Sequence, residues 1–109
     1  MCETARDPSV DTLGTPYQRG NNNTQFNYPE GVALNDNGNI IVADEYNNRV
    51  QMFSYNGKYV RTIGSKGTNP AQLQQPQGIA ITADGYIIVA ESGNNRVSMF
   101  DETGQFILE

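Results

Sequence analysis

Asp44 stands five residues before Arg49, and forty-seven residues later Glu91 stands five residues before Arg96; each pair encloses two asparagines, Asn47-Asn48 and Asn94-Asn95. Carboxylate, carboxamide and guanidinium at that spacing can do three things. They can grip a polar ligand from one end of a channel, or they can offer hard oxygens to a calcium ion. Alternatively, the guanidinium can close on the carboxylate of its own bend while the asparagines satisfy turn backbone groups. Recurrence in both copies favours this last arrangement, because a specific ligand seldom needs the same group in every repeat. Asp44, Arg49, Glu91 and Arg96 are therefore expected to be structural bend pairs, with no metal and no cofactor. No nucleophile with an adjacent base is identifiable. The chain has no histidine, which removes the commonest general base at neutral pH and the commonest transition-metal ligand. Its single cysteine, Cys2, allows neither an internal disulfide nor a thiolate zinc site. No enzymatic activity is expected.

Recognition is better sought where the two copies differ. Tyr46 stands opposite Gly93, Tyr55 opposite Glu102, Lys58 opposite Gln105, and Tyr86 opposite Asn39. Loop aromatics can stack on a base or anchor a partner protein, although single exposed aromatics are also common on any solvated surface. Lys58, Arg61 and Lys66, joined by Arg19, form the one basic grouping. Nucleic acid could lie there, but the formal net charge of −5 suits a scattered set of solvated cations better, since non-specific affinity for a polyphosphate comes from basic side chains displacing counterions. Protein recognition is thus expected ahead of RNA recognition, with Tyr46, Tyr55, Lys58, Arg61, Lys66 and Tyr86 as the candidate partner-binding residues.

With 109 residues, 37% hydrophobic and 17% charged, the chain has the size and composition of one small folded domain. No apolar stretch approaches the roughly 18 residues that span a bilayer. The first residues, Met1-Cys2-Glu3-Thr4-Ala5-Arg6-Asp7, lack the apolar centre of a secretory signal. A soluble, cytoplasmic protein is expected.

The polar set is carried by a stretch that occurs twice. Residues 39–53 return as residues 86–100, with Ile-Ile-Val-Ala, Asn-Asn-Arg-Val and Met-Phe unchanged. An apolar run rich in β-branched side chains, a polar bend and a second apolar segment read as two paired strands. Upstream, Pro29 and Gly31 match Pro76 and Gly78 and introduce strands at Val32-Ala33-Leu34 and Ile79-Ala80-Ile81; proline is tolerated there because its missing N–H falls before the ladder. Asn37-Gly38 and Asp84-Gly85 are dipeptides that suit a two-residue type I′ hairpin. Asn56-Gly57 and Thr103-Gly104 mark another tight turn, leading to fourth strands at residues 59–63 and 105–108. The second strand of each unit is apolar at consecutive positions, as expected for one covered on both faces. The fourth alternates, as expected nearer solvent. Each unit is a four-stranded antiparallel meander, which is the form of a β-propeller blade.

The organisation that follows is a poorly ordered leader at residues 1–9 and a partial repeat at 10–24, comprising an outer strand at 10–13 and a polar connector. Two complete repeats follow at 25–66 and 67–109. The pattern Pro-x-Gly-[Val/Ile]-Ala, Asp/Asn-Gly, Ile-x-Val-Ala-[Asp/Glu], Asn-Asn-Arg-Val-x-x-Phe resembles the NHL repeat, over most of the chain and in two copies. The resemblance implies a six-bladed all-β propeller of which this chain supplies two blades. It also implies a module that binds proteins or RNA, related propellers including calcium-dependent lactonases. Two blades leave an apolar flank open on each side. The expectation is a head-to-tail homo-oligomer, three chains closing one ring, with no membrane partner. In such a ring residues 10–13 can pair with residues 96–100 of a neighbour, competing with residues 106–108 for the same edge.

Overall fold

The computed structural model describes residues 20–23 and 25–108. The chain is all-β. Strands β1 (Pro29–Leu34), β2 (Ile40–Asp44), β3 (Arg49–Phe53) and β4 (Tyr59–Ile63) form one antiparallel meander, with a single 3-10 turn, Glu45–Asn47, between β2 and β3. Strands β5 (Pro76–Ile81), β6 (Ile87–Glu91), β7 (Arg96–Phe100) and β8 (Phe106–Leu108) form the second. The two sheets are propeller blades with the same register: Val42 faces Gln51 as Val89 faces Ser98, and Asp44 faces Arg49 as Glu91 faces Arg96. The outer strand expected at residues 10–13, the leader at 1–9 and Arg19 lie outside the described residues.

Two expectations need correcting. The first strands begin at Pro29 and Pro76 rather than at the apolar triplets, because the ladder runs past an irregularity between Pro29 and Gly31 and its equivalent between Pro76 and Gly78. The hairpins are not type I′, since Asn37 and Asp84 do not have positive φ; in each of the four hairpin turns only the glycine does, at 81°, 92°, 90° and 92° for Gly38, Gly57, Gly85 and Gly104. Each turn is a three-residue loop closed twice, as in Gly38 N–H to Asn35 O (3.0 Å) and Asn35 N–H to Asn39 O (3.1 Å), the form that ends on a left-handed glycine bulge. The cause lies at the residue just before the loop. Asn35 Oδ1 accepts from the N–H groups of Asn37 and Asn39, and Asp101 Oδ1 from those of Thr103 and Gln105. A side-chain acceptor there stabilises the longer loop locally.

The core lies between the blades. Ile41, Val50, Met52 and Ile63 of the first meet Ile87, Val89 and Phe100 of the second, with Ile79, Ile81 and Phe106 packed against them. Leu73, from the connector, is fully buried in the same cluster, and a side chain of that size contributes about 1.5–3 kcal/mol by leaving water. β2 is covered on both faces as expected. β6 is not: Ile87 and Val89 are buried, whereas Ile88 is half-buried and Ala90 exposed. No helix among the described residues is long and apolar enough to cross a membrane.

Candidate functional site

The repeated polar set closes at the bend between the second and third strands. In the first blade Arg49 Nε donates to Asp44 Oδ2 at 2.8 Å, and the Asp44 carboxylate is fully buried. Asn47 Nδ2 donates to the same oxygen at 2.8 Å, and the N–H of Asn27 to Oδ1 at 2.7 Å. In the second blade Arg96 Nε donates to Glu91 Oε2 at 2.9 Å, Asn94 Nδ2 to Oε1 at 2.7 Å and the N–H of Gln74 to Oε1 at 3.2 Å. Ser98 Oγ adds a fourth bond to Glu91 Oε2 at 2.6 Å.

The guanidinium does more than pair. Arg49 Nη1 donates to the carbonyl of Asn21, and Nη2 to the carbonyls of Asn22 and Gln25, at 2.8–2.9 Å. Arg96 does the same to Thr68, Asn69 and Gln72. Asn47 and Asn94 reach Gly20 O and Gly67 O. Each bend therefore clamps the polar connector that leads into its own blade. This part was not legible beforehand, because main-chain carbonyls leave no mark on residue type; the one signal was the recurrence of the connectors, 20–25 and 67–72, at the same period. Burial alone would push the Glu91 carboxyl up, but the hydrogen bonds from Ser98, Arg96 and Asn94, with the Arg96 charge, hold it below the ordinary carboxylate value.

Among the described residues no group of three His, Cys, Asp or Glu is placed to hold a metal ion, and each oxygen of the Asp44 and Glu91 carboxylates already accepts a hydrogen bond. A calcium ion would have to compete with the bonds that hold the blades.

The candidate partner-binding residues fall into two places. At the bend end, Tyr46 is 49% exposed and packs on Tyr28 with ring centroids 5.0 Å apart. Beside them Tyr46, Asn48, Lys66, Gln74 and Gln75 line a recess of about 230 Å³. Tyr28, which sequence reasoning missed, sits at φ 67° directly before Pro29, and Gln75 sits at φ 52° before Pro76. At the hairpin end, Tyr55 lies against the turn at Gly38. Tyr86 lines a second recess of about 250 Å³ with Asp84, Asp101, Glu102 and Thr103. The basic residues form no single patch: Lys58 and Lys66 lie beyond opposite ends of β4. Arg61 is drawn into the seam between blades, where Nη1 donates to Thr103 O at 3.3 Å and Nε, buried, finds no partner.

The family described as NHL repeat matches residues 26–53 and 73–100, which are the two stretches that carry the bend pairs. A B-box type zinc finger protein of Caenorhabditis elegans, ncl-1, is 49% identical over 35 residues, 32% of this chain and 4% of that protein. Among solved structures, virginiamycin B lyase from Staphylococcus aureus is similar with a TM-score of 0.60 at 18% identity, over 80% of this chain and 27% of that one. A Bacteroides caccae protein of unknown function gives 0.57 at 18% identity, over 70% of this chain and 26% of that one. At that identity the likeness shows the propeller fold alone, and this chain spans about a quarter of those structures and far less of the worm protein.

Proposed function

The chain belongs to the NHL-repeat family, and from that premise we propose that it is a non-catalytic interaction module, a pair of propeller blades serving protein recognition and scaffolding within a larger ring. One observation carries the reading. Both copies of the carboxylate–guanidinium set are fully engaged in holding their own blades, so the polar groups that could do chemistry are committed to architecture. What remains for recognition is the surface where the blades differ, above all the recess beside Tyr46 and Lys66. A six-bladed ring takes three such chains, and the net charge of −5 suits a protein partner better than a polyphosphate.

RNA recognition is the second reading, favoured by one feature: the Tyr28–Tyr46 pair adjoins a recess lined by Lys66, and an aromatic face beside a cation can stack a base. Fluorescence polarisation of a labelled single-stranded RNA at low salt separates the two. The protein-interaction reading expects no saturable shift. A saturable shift that weakens steeply with salt and disappears in Tyr46→Ala would replace it with the RNA reading.

A further inference from the structure

We infer that the two uncovered blade faces of this chain dock on each other in successive copies, repeating between chains the contact that β1–β4 make with β5–β8 within one. This rests on the reading of the chain as part of a larger ring, and it names the partner, a second copy, and the register in which it binds.

The contact inside the chain is a worked template. The first blade turns Ile41, Ala43, Val50 and Met52 towards the second, all 1% exposed or less. Their counterparts one repeat later are Ile88, Ala90, Val97 and Met99, on the face of the second blade that nothing among the described residues covers; Val97 is 52% exposed. The opposite half behaves likewise. Ile79 and Ile81 pack against the core, while their counterparts Val32 and Leu34 are 65% and 67% exposed. Val42 and Phe53, the counterparts of Val89 and Phe100, are already buried on that face, Phe53 against Phe26, so the part left open there is the β1 edge at Val32 and Leu34. The chain thus carries a second copy of each half of an interface it already forms, one half open across β6 and β7 and the other along β1. Exposed aliphatic side chains gathered on one face mark an association surface.

Two finer details point to the same register. A Cβ added to Gly31 would overlap the carbonyl oxygen of Gln77 across the blade seam, so that position admits only glycine. Gly78, its counterpart, needs no such accommodation within the chain: an added Cβ would meet nothing closer than the Ala90 Cβ at 3.5 Å. The seam is also bridged by the N–H of Gln75 donating to Asn48 Oδ1 at 2.9 Å. The counterpart donor is the N–H of Tyr28 and the counterpart acceptor is Asn95, left-handed like Asn48 at φ 51°. Neither makes that bond among the described residues, and stacking of a second copy in register would bring donor to acceptor. One pair changes chemistry: Gln77, which donates to Glu45 across the seam, is replaced by Glu30, and Glu45 by Ser92, leaving a hydroxyl facing a carboxylate and creating no like-charge clash. The contact is heterologous and closes when the repeated rotation completes a ring.

Sedimentation velocity on the full chain at micromolar concentration tests this, with circular dichroism as the folding control. The wild type is expected at the mass of three chains. Gly78→Val, a β-former at a site with room for a Cβ inside the protomer, is expected to retain the β spectrum and to sediment as one chain. Val97→Asp, on the same face but unrelated to the backbone approach, should do the same and covers the case in which Gly78→Val fails to fold. A wild type that stays a single chain overturns both the ring and this contact. An assembly that survives Gly78→Val and Val97→Asp leaves the ring standing and overturns the contact assigned here.

Discussion

Arg49 donates from Nη1 to the carbonyl oxygen of Asn21, twenty-eight residues upstream, at 2.8 Å, so the residue that closes the bend of the first blade also fixes the segment that leads into it. Side-chain replacement of Arg49 therefore removes two supports at once. Arg49→Ala leaves the Asp44 carboxylate, fully buried, without its counter-ion, and removing one partner of a buried pair costs about 3–5 kcal/mol. Arg49→Lys keeps the charge but not the planar fork that reaches three carbonyls and a carboxylate together, and should fall between the two. Urea unfolding of the three proteins measures this; an Arg49→Ala loss below about 1 kcal/mol would show that the clamp is dispensable, as exposed ion pairs are.

Asn48 and Asn95 share a left-handed backbone, φ 55° and 51°, but only Asn48 accepts a hydrogen bond from the other blade, from the N–H of Gln75. Glycine relieves the strain at either position. Asn48→Gly is expected to destabilise by roughly 1 kcal/mol, the net value of the lost bond, whereas Asn95→Gly should stay within about 0.5 kcal/mol of the wild type. The comparison is made by chemical unfolding at concentrations too low for chains to associate. Equal losses at both sites would mean that the backbone conformation, and not the bridge between blades, is what the asparagines supply.

How much of this could be read beforehand follows from what residue types can express. The period, the four strands per unit and the pairing of Asp44 with Arg49 are visible because apolar alternation and opposite charges are properties of side chains. The clamp on the connector is invisible because its acceptors are the carbonyls of Asn21, Asn22 and Gln25, which any residue would present. Asn37-Gly38 was legible as a turn, but its type depends on Asn35 two residues earlier, whose carboxamide oxygen selects the longer loop. Arg61 reads as a surface cation by composition; β4 instead carries it to the seam beside Thr103. That outcome belongs to blade packing, which no local pattern encodes.

Glu91 sets a pH dependence whose sign can be worked out. Its folded-state pKa lies below the ordinary value of 4.5, so the unfolded chain binds the proton more readily, and stability rises with pH through that window. The contribution is complete above the ordinary value and is lost as the pH falls through the depressed one. Asp101 shifts in the same direction, through its hydrogen bonds from Thr103 and the Gln105 N–H, so the wild-type slope contains both. Glu91→Gln removes one and leaves the other. Urea midpoints between about pH 5 and pH 3 should fall more steeply for the wild type than for Glu91→Gln; parallel curves would refute a native-state role for the Glu91 charge.

The two bends also differ in a compensating way. The first blade combines the shorter carboxylate with the longer neighbour, Asp44 with Gln51, and the second the longer carboxylate with the shorter neighbour, Glu91 with Ser98; all four are buried. Gln51 makes no hydrogen bond to the carboxylate: it reaches Asn23 O and bonds Thr62 Oγ1. Ser98 instead donates to Glu91 Oε2 at 2.6 Å, and Glu91 extends far enough to receive it. Glu91→Asp alone should withdraw the carboxylate from Ser98 and leave a buried hydroxyl short of its acceptor. Ser98→Gln alone should force an amide into space that Glu91 fills, and overpacking of this kind costs about 1–3 kcal/mol. Installed together they reproduce the carboxylate and amide of the first blade, although the sequence has Glu109 where the first blade has Thr62. The double variant is therefore expected to be more stable than the sum of the single losses predicts, by at least about 1 kcal/mol of coupling in a double-mutant cycle. Strict additivity would show that the exchange between blades is coincidental and that each site accommodates its side chain independently.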